Sequence, residues 1–153
     1  MVYVDYIEEK HLEELAVLYE ALSKMPSNID KMKQTFNIMS KDPNYHLLGA
    51  FTKNDNKLIG TLVGLVCRIL AMDCNPVMFM EMMVVSDEWK GKGVGKKLLI
   101  RLEEISKHKE CFFIQFCSSM FRKEAHGFYE AMGYKNDVVK GYRKYLTDLI
   151  MSE

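Results

Sequence analysis

Residues 90 to 97 read Lys-Gly-Lys-Gly-Val-Gly-Lys-Lys, between an apolar run, Met82 to Val85, and a periodic apolar series, Leu98, Leu99, Leu102 and Ile105. A strand, a glycine-rich turn and a helix start, in that order, aim several backbone N–H groups at one point. The positive end of the helix dipole lies there, with Lys90, Lys92, Lys96 and Lys97 around it. The chemistry on offer is anion binding, most plausibly of phosphate. Glycine suits such a loop because a backbone that touches phosphate oxygens has no room for side chains. Spacing separates the phosphate ligands. A Walker A loop needs four residues between its glycines and then Lys-Ser/Thr. Here Gly91 and Gly95 enclose three residues, and Lys96 is followed by Lys97, so no hydroxyl is set for magnesium. A dinucleotide fingerprint needs G-x-G-x-x-G early in a βαβ unit, whereas this pattern is G-x-G-x-G past the middle of the chain.

The stretch Lys90-Gly91-Lys92-Gly93-Val94-Gly95 resembles the acyl-CoA loop of the GCN5-related N-acetyltransferases (GNAT), Arg/Gln-x-x-Gly-x-Gly/Ala. Lys90 stands where Arg or Gln is usual, which keeps a cation and loses the planar fork. Residues 122 to 134, RKEAHGFYEAMGY, resemble the family's second block, with Ala125, Phe128, Tyr129, Glu130, Gly133 and Tyr134 in register. Arg122 occupies a position where that family often has Asn. The two blocks cover the C-terminal half, and the N-terminal half matches in its pattern of elements. The resemblance implies an α/β fold of the GNAT acyl-CoA N-acyltransferase type. Such a fold has a central mixed, mostly antiparallel sheet, splayed between its fourth and fifth strands and flanked by about four helices.

The implied activity is transfer of an acetyl group from acetyl-CoA to a primary amine, by direct attack in a ternary complex and without a metal. The resemblance puts the pyrophosphate on Lys90 to Lys96: Lys90, Gly91, Lys92, Gly93, Val94, Gly95 and Lys96. It sets the pantetheine arm against the backbone of Met83, Val84 and Val85, and adds Phe128 to the cofactor contacts. Tyr129 falls beside the CoA sulfur. A phenol, pKa near ~10, donates to a thiolate whose acid has a pKa near ~8.5 with little mismatch. Glu81 interrupts an otherwise apolar strand, where a carboxylate is costly unless solvated or paired. It should therefore point into a cleft, as base, water relay or contact for a cationic substrate. His126 lies on the face of Tyr129 and is expected to pair with Glu130. His11, His46 and His108 read as incidental, and Cys117 as core. The rival reading is a non-catalytic acyl-CoA sensor or interaction module on the same fold. A P-loop hydrolase fails on the missing Ser/Thr.

The elements that must position these groups follow from periodicity. Strands are expected at Val2–Ile7, Tyr45–Phe51, Leu58–Leu70, Val77–Val85 and Cys111–Cys117, with a closing hairpin of Val138-Val139 and Tyr142–Leu146 around Gly141. Helices are expected at Glu8–Leu22, from an Asn28 cap to Met39, at Lys92–His108 and at Arg122–Met132, the last stopped by Gly133. Ile29, Met32, Phe36 and Met39 form the inward stripe of the second helix. In the GNAT family the first two helices border the acceptor site. Gly60 and Gly64 inside a strand point to bending or close backbone approach.

Bulk properties agree. The chain has 153 residues, enough for one domain with a real core, and no repeats or linkers divide it, so residues 1–153 read as a single N-acetyltransferase domain. Lys plus Arg number 21 and Asp plus Glu number 21, so nothing favours a nucleic-acid or membrane partner. The first ten residues do not read as a cleavable signal, and no apolar run approaches the ~20 residues of a membrane span. The four cysteines lack metal spacing and read as reduced, packed thiols of a cytoplasmic protein. The twelve methionines read as core filler. The acceptor is a small-molecule amine or a protein amino group, and dimerisation through the C-terminal strands is common in the family.

Overall fold

Backbone pairing sets the sheet. In the computed structural model, which describes residues 1–147, β1 (Val2–Tyr6) runs antiparallel to β2 (Tyr45–Thr52). Strand β2 runs antiparallel to β3 (Leu58–Cys67), and β3 to β4 (Val77–Val85). Strand β5 (Ile114–Gln115) adds to β4 in parallel, and the five strands stand in chain order. The β2–β3 turn closes through Thr52 N–H to the Lys57 carbonyl at 3.0 Å, with Asn56 in the left-handed region that asparagine tolerates. The described chain divides into two compact units, residues 1–116 and the part from Cys117 onward.

In the first unit the helices are α1 (Leu12–Ser23), entered through a 3-10 turn at Glu9–His11, α2 (Ile29–Met39) and α3 (Val94–His108). The expected cap of α2 is present: Asn28 Oδ1 accepts from the Lys31 N–H at 3.0 Å. No described helix is long and apolar enough to cross a membrane. Leu12, Leu15 and Leu18 of α1 pack with Ile7, Phe51, Leu58 and Val84. Ala50, paired with Gly60, faces the other way from Phe51, and that second face lies under α3, whose Leu98, Leu99 and Leu102 are fully buried.

Close approach explains the two glycines of β3. A Cβ at Gly64 would lie 2.5 Å from Cδ1 of Leu102 and 3.0 Å from Sδ of Met78. One at Gly60 would lie 3.2 Å from the Val84 carbonyl and 3.3 Å from Cγ1 of Val94. Helix α3 is therefore seated against the backbone of β3 at its first residue and again two turns on. That seat fixes where the glycine loop before it can be.

Three sequence expectations fail at the C-terminal side. The strand expected over 111–117 pairs with β4 only at Ile114 and Gln115, because the chain leaves β4 at that point. Cys117, expected in the core, is exposed, as is Cys74. In the second unit α4 (Lys123–Ala131) ends with Gly133 at φ 91°. The hairpin expected over 138–146 does not form: these residues carry no strand, and Val138, Val139, Tyr142 and Leu146 are exposed. A two-stranded hairpin is marginal in water by itself, and its own unit offers no sheet to extend.

Two of the three histidines read as incidental are not surface residues, while His108 is exposed. His11 is buried, with Nδ1 accepting from the Glu8 N–H at 3.0 Å. His46 is buried and joined through Nδ1 to the Tyr6 hydroxyl at 2.8 Å. Burial pushes its pKa below the ordinary 6.5, and the charges of Lys109 and Arg101 push the same way.

Two outcomes follow from this packing. Gly64→Val should cost about 1–3 kcal/mol of unfolding free energy, read by urea denaturation, because α3 or the strand must move. Because the folded pKa of His46 lies below 6.5, its contribution is complete above that value. It is lost as pH falls from there towards the folded pKa, since the unfolded chain takes the proton first. Urea titrations between neutral and mildly acidic pH should show a shallower loss in His46→Gln than in the wild type; equal slopes would refute this role.

Candidate active site

Strand β4 carries the first component. Thr61 pairs with Val84 and Val63 with Glu81, so Met82 and Met83 together oppose Leu62 in a β-bulge. Met82 sits at φ 52° and is 38% exposed. The extra residue puts Glu81 and Val84 on the same face although they are three apart. Glu81 is solvent-exposed at the start of the bulge, Met83 and Val84 are buried and Val85 is half-buried. Beyond Phe79 no described strand pairs with the outer edge of β4. The sheet is splayed there, between its fourth and fifth strands, and the backbone of Met83, Val84 and Val85 lies along the open part.

The second component follows directly. The backbone turns through Asp87–Trp89 and reaches Gly91 at φ 71° and Gly93 at φ 79°. Nothing lies within 4 Å of where a Cβ would stand on either glycine. Their side chains are missing for conformation and for open space, not to avoid a neighbour. Gly93 caps α3 and its carbonyl accepts from the Lys97 N–H at 3.1 Å. The N–H groups of Val94, Gly95 and Lys96 precede the first helical acceptor and point out of the helix end. Val94 is fully buried against β3, which holds this end still.

Lysines surround the loop, and two are held by residues that the sequence reading passed over. Lys90 Nζ pairs with Asp87 Oδ1 at 2.5 Å, and its hydrogen bond and charge hold the Asp87 carboxyl below the ordinary range. Lys92 Nζ stands 5.3 Å over the Trp89 ring. Lys96 and Lys97 are exposed. The three-residue spacing of Asp87 and Lys90 was available as a signal. The bulge at Met82 was not, because an apolar strand reads the same with or without an inserted residue.

The second unit carries the other candidates. Tyr129 on α4 is buried, 7% exposed, with its ring 5.4 Å from that of Phe128 and 6.5 Å from that of Tyr134. Burial raises its pKa above the ordinary 10, with the Arg122 charge opposing. The phenol is therefore fully protonated at neutral pH. His126 does not pair with Glu130 as expected. Its Nε2 meets the Ser119 carbonyl at 2.9 Å, and Glu130 Oε1 accepts from Asn136 Nδ2 at 2.6 Å. The turn before α4, closed by Arg122 N–H to the Ser119 carbonyl, brings that carbonyl within reach of the imidazole first.

The first unit thus brings together Glu81, the open β4 edge and Lys90 to Lys96, and the second carries Phe128 and Tyr129. A family profile described as Acetyltransferase (GNAT) family matches residues 10–134. No curated protein matches the chain in sequence. Among solved structures, a glucosamine-6-phosphate N-acetyltransferase from Arabidopsis thaliana superposes with a TM-score of 0.84 at 19% identity, covering 96% of this chain and 99% of that one. A transcriptional regulator from Bacillus halodurans gives 0.86 at 21% identity, covering 95% and 99%. An aminoglycoside 6'-N-acetyltransferase from Acinetobacter baumannii gives 0.76 at 19%, covering 96% and 100%. At these identities the likeness is one of fold.

The loop geometry predicts a strain effect separable from packing. Gly93→Ala should lower stability by roughly 1–2 kcal/mol through its left-handed φ alone, and Gly93→Asn should lose less. Chemical denaturation of the two variants checks this; equal losses would point to a steric cause instead.

Proposed function

Because the chain belongs to the GNAT acetyltransferase family, we propose that it transfers an acetyl group from acetyl-CoA to a primary amine by direct attack, with residues 1–153 working as one N-acetyltransferase domain. The observation that carries this reading is the glycine loop. Left-handed Gly91 and Gly93, with open space where side chains would be, lead into unpaired N–H groups at the start of a 15-residue helix. That arrangement fits a pyrophosphate. Lys92 and Lys96 add charge, and Lys90 joins them on leaving Asp87. The backbone of Met83, Val84 and Val85, lacking a strand neighbour on its outer side, fits the amide-bearing pantetheine arm as a substitute strand. Phe128 would pack on the same cofactor.

In the proposed chemistry Glu81 takes the ammonium proton, directly or through water. The freed amine nitrogen forms a bond to the acetyl carbon, the carbon–sulfur bond breaks, and the Tyr129 hydroxyl gives its proton to the departing thiolate. A phenol whose pKa burial raises keeps that proton available at neutral pH. No step calls for a metal. The acceptor is a small-molecule amine or a protein amino group, the compartment the cytoplasm, and a homodimer is compatible with the family. A second reading, a non-catalytic acyl-CoA-binding module, draws support from the transcriptional regulator that shares the fold.

Thermal melts with acetyl-CoA, CoA, ATP and NAD test the cofactor. A ligand at 100 times its dissociation constant adds about 2.7 kcal/mol, several degrees for a domain of this size. The expected result is a shift with the two CoA species only, and thiol release with an amine panel. Tyr129→Phe should keep the shift and lose about 10²–10⁴ in kcat. A shift with CoA and full activity in Tyr129→Phe would remove the tyrosine from the chemistry. A shift with ATP alone would overturn the acetyltransferase reading.

A further inference from the structure

Helix α2 has an inward stripe that does not fill the space beneath it. Ile29, Met32, Phe36 and Met39 are its half-buried positions, and no residue of the helix is fully buried. Under its C-terminal half lies a cavity of about 390 Å³, lined by Phe36, Met39, Pro43, Tyr45 and Leu47 among others. That volume falls within the range of small-ligand sites. Several of its polar neighbours are already engaged, while the buried Nε2 of His46 has no hydrogen-bond partner among the described residues. Asp42 Oδ1 accepts from the Asn44 N–H and Nδ2 at 2.9 and 3.0 Å, Ser40 Oγ donates to the Asn37 carbonyl at 3.3 Å, and His46 is joined to Tyr6.

Strand register places further apolar residues on the same face of the sheet beside this groove. Tyr45 pairs with Leu65 and Leu65 with Phe79, and each is half-exposed. In the neighbouring row on the same face, Leu47 pairs with Val63 and Val63 with Glu81. At a strand spacing of about 4.8 Å, Glu81 lies two strands from the groove, roughly 10 Å from Leu47. No ion pair is found for Glu81 among the described residues. Between the groove and this exposed carboxylate the same face of the sheet is apolar, with Val63 buried and Leu65 half-exposed.

We infer that the acceptor is a primary amine borne on an elongated apolar or aromatic body, with the body in the groove under α2 and the ammonium at Glu81. The inference rests on the acetyltransferase reading and narrows its substrate class. It sets aside polyhydroxylated amino sugars, whose hydroxyl groups would meet Phe36, Leu47 and Leu65 without partners.

The test measures thiol release from acetyl-CoA with n-alkylamines of rising length, 4-phenylbutylamine, glucosamine and spermidine, alongside direct calorimetric titration of 4-phenylbutylamine. The expected result is a rise in kcat/KM of about threefold to fourfold per methylene until the groove is filled, with 4-phenylbutylamine well above glucosamine and spermidine. Phe36→Ser should flatten that length dependence and weaken calorimetric binding of 4-phenylbutylamine about tenfold, leaving the acetyl-CoA thermal shift unchanged. Met39→Gln, at a half-exposed position, gives a second probe of the groove if Phe36→Ser folds poorly. A flat length profile, a preference for glucosamine or spermidine, or no calorimetric binding of 4-phenylbutylamine to a chain that binds acetyl-CoA would overturn the inference and leave the acetyltransferase reading standing. Absence of any acetyl-CoA shift would instead remove that reading.

Discussion

Strand β4 is bonded on both sides for only part of its length, and the site of the first unit depends on that. At Met78 and Phe79 it lies between β3 and β5; beyond them it holds only β3. Backbone N–H and C=O groups need partners, and a strand edge left open inside a protein is a standing invitation to another extended chain. Proteins ordinarily blunt such edges. Here the edge is left open and runs straight into a loop whose own N–H groups are also unspent. An extended, amide-bearing chain ending in phosphates matches both features at once, which is why the reading does not rest on the loop alone.

The loop keeps its aim because α3 is seated closely. Gly60 and Gly64 let the helix approach the backbone of β3, and Val94, its first residue, is buried at that contact. The same helix buries Leu98, Leu99 and Leu102, so the core and the glycine loop share one rigid element. Removing a buried leucine costs about 2–5 kcal/mol, so packing at these three positions resists any tilt of the helix. The two ion and ring contacts, Asp87 with Lys90 and Trp89 with Lys92, are exposed and weak by comparison. They hold side chains in place without setting the backbone.

Much of this was legible in residue order. Alternation in β2, β3 and β4, the 3.6-residue stripes of α1 and α3, and the Asn28 cap are local signals, and the structure has them, with β3 ending three residues early at Cys67 and α1 starting at Leu12 after a 3-10 turn. The glycine loop was legible because few functions require glycine at alternate positions before a helix. The misreadings share a cause. The strand expected over 111–117, the hairpin expected over 138–146 and the buried Cys117 each depend on whether a neighbouring strand is present, which no local pattern records. His126 went to Ser119 instead of Glu130 because a turn, and not helical spacing, brought the first acceptor near.

The sequence by itself determined most of the elements, the glycine loop and the family, because these follow from short-range periodicity and from residue types confined to a few positions. Only the tertiary structure decided the bulge at Met82, the face on which Glu81 stands, the early parting of β5 from β4 and the unfilled space under α2. Each of these is a matter of which backbone finds a partner and which side chains find volume to fill. Those outcomes are set between segments distant in the chain, where the spacing of residues along it carries no information.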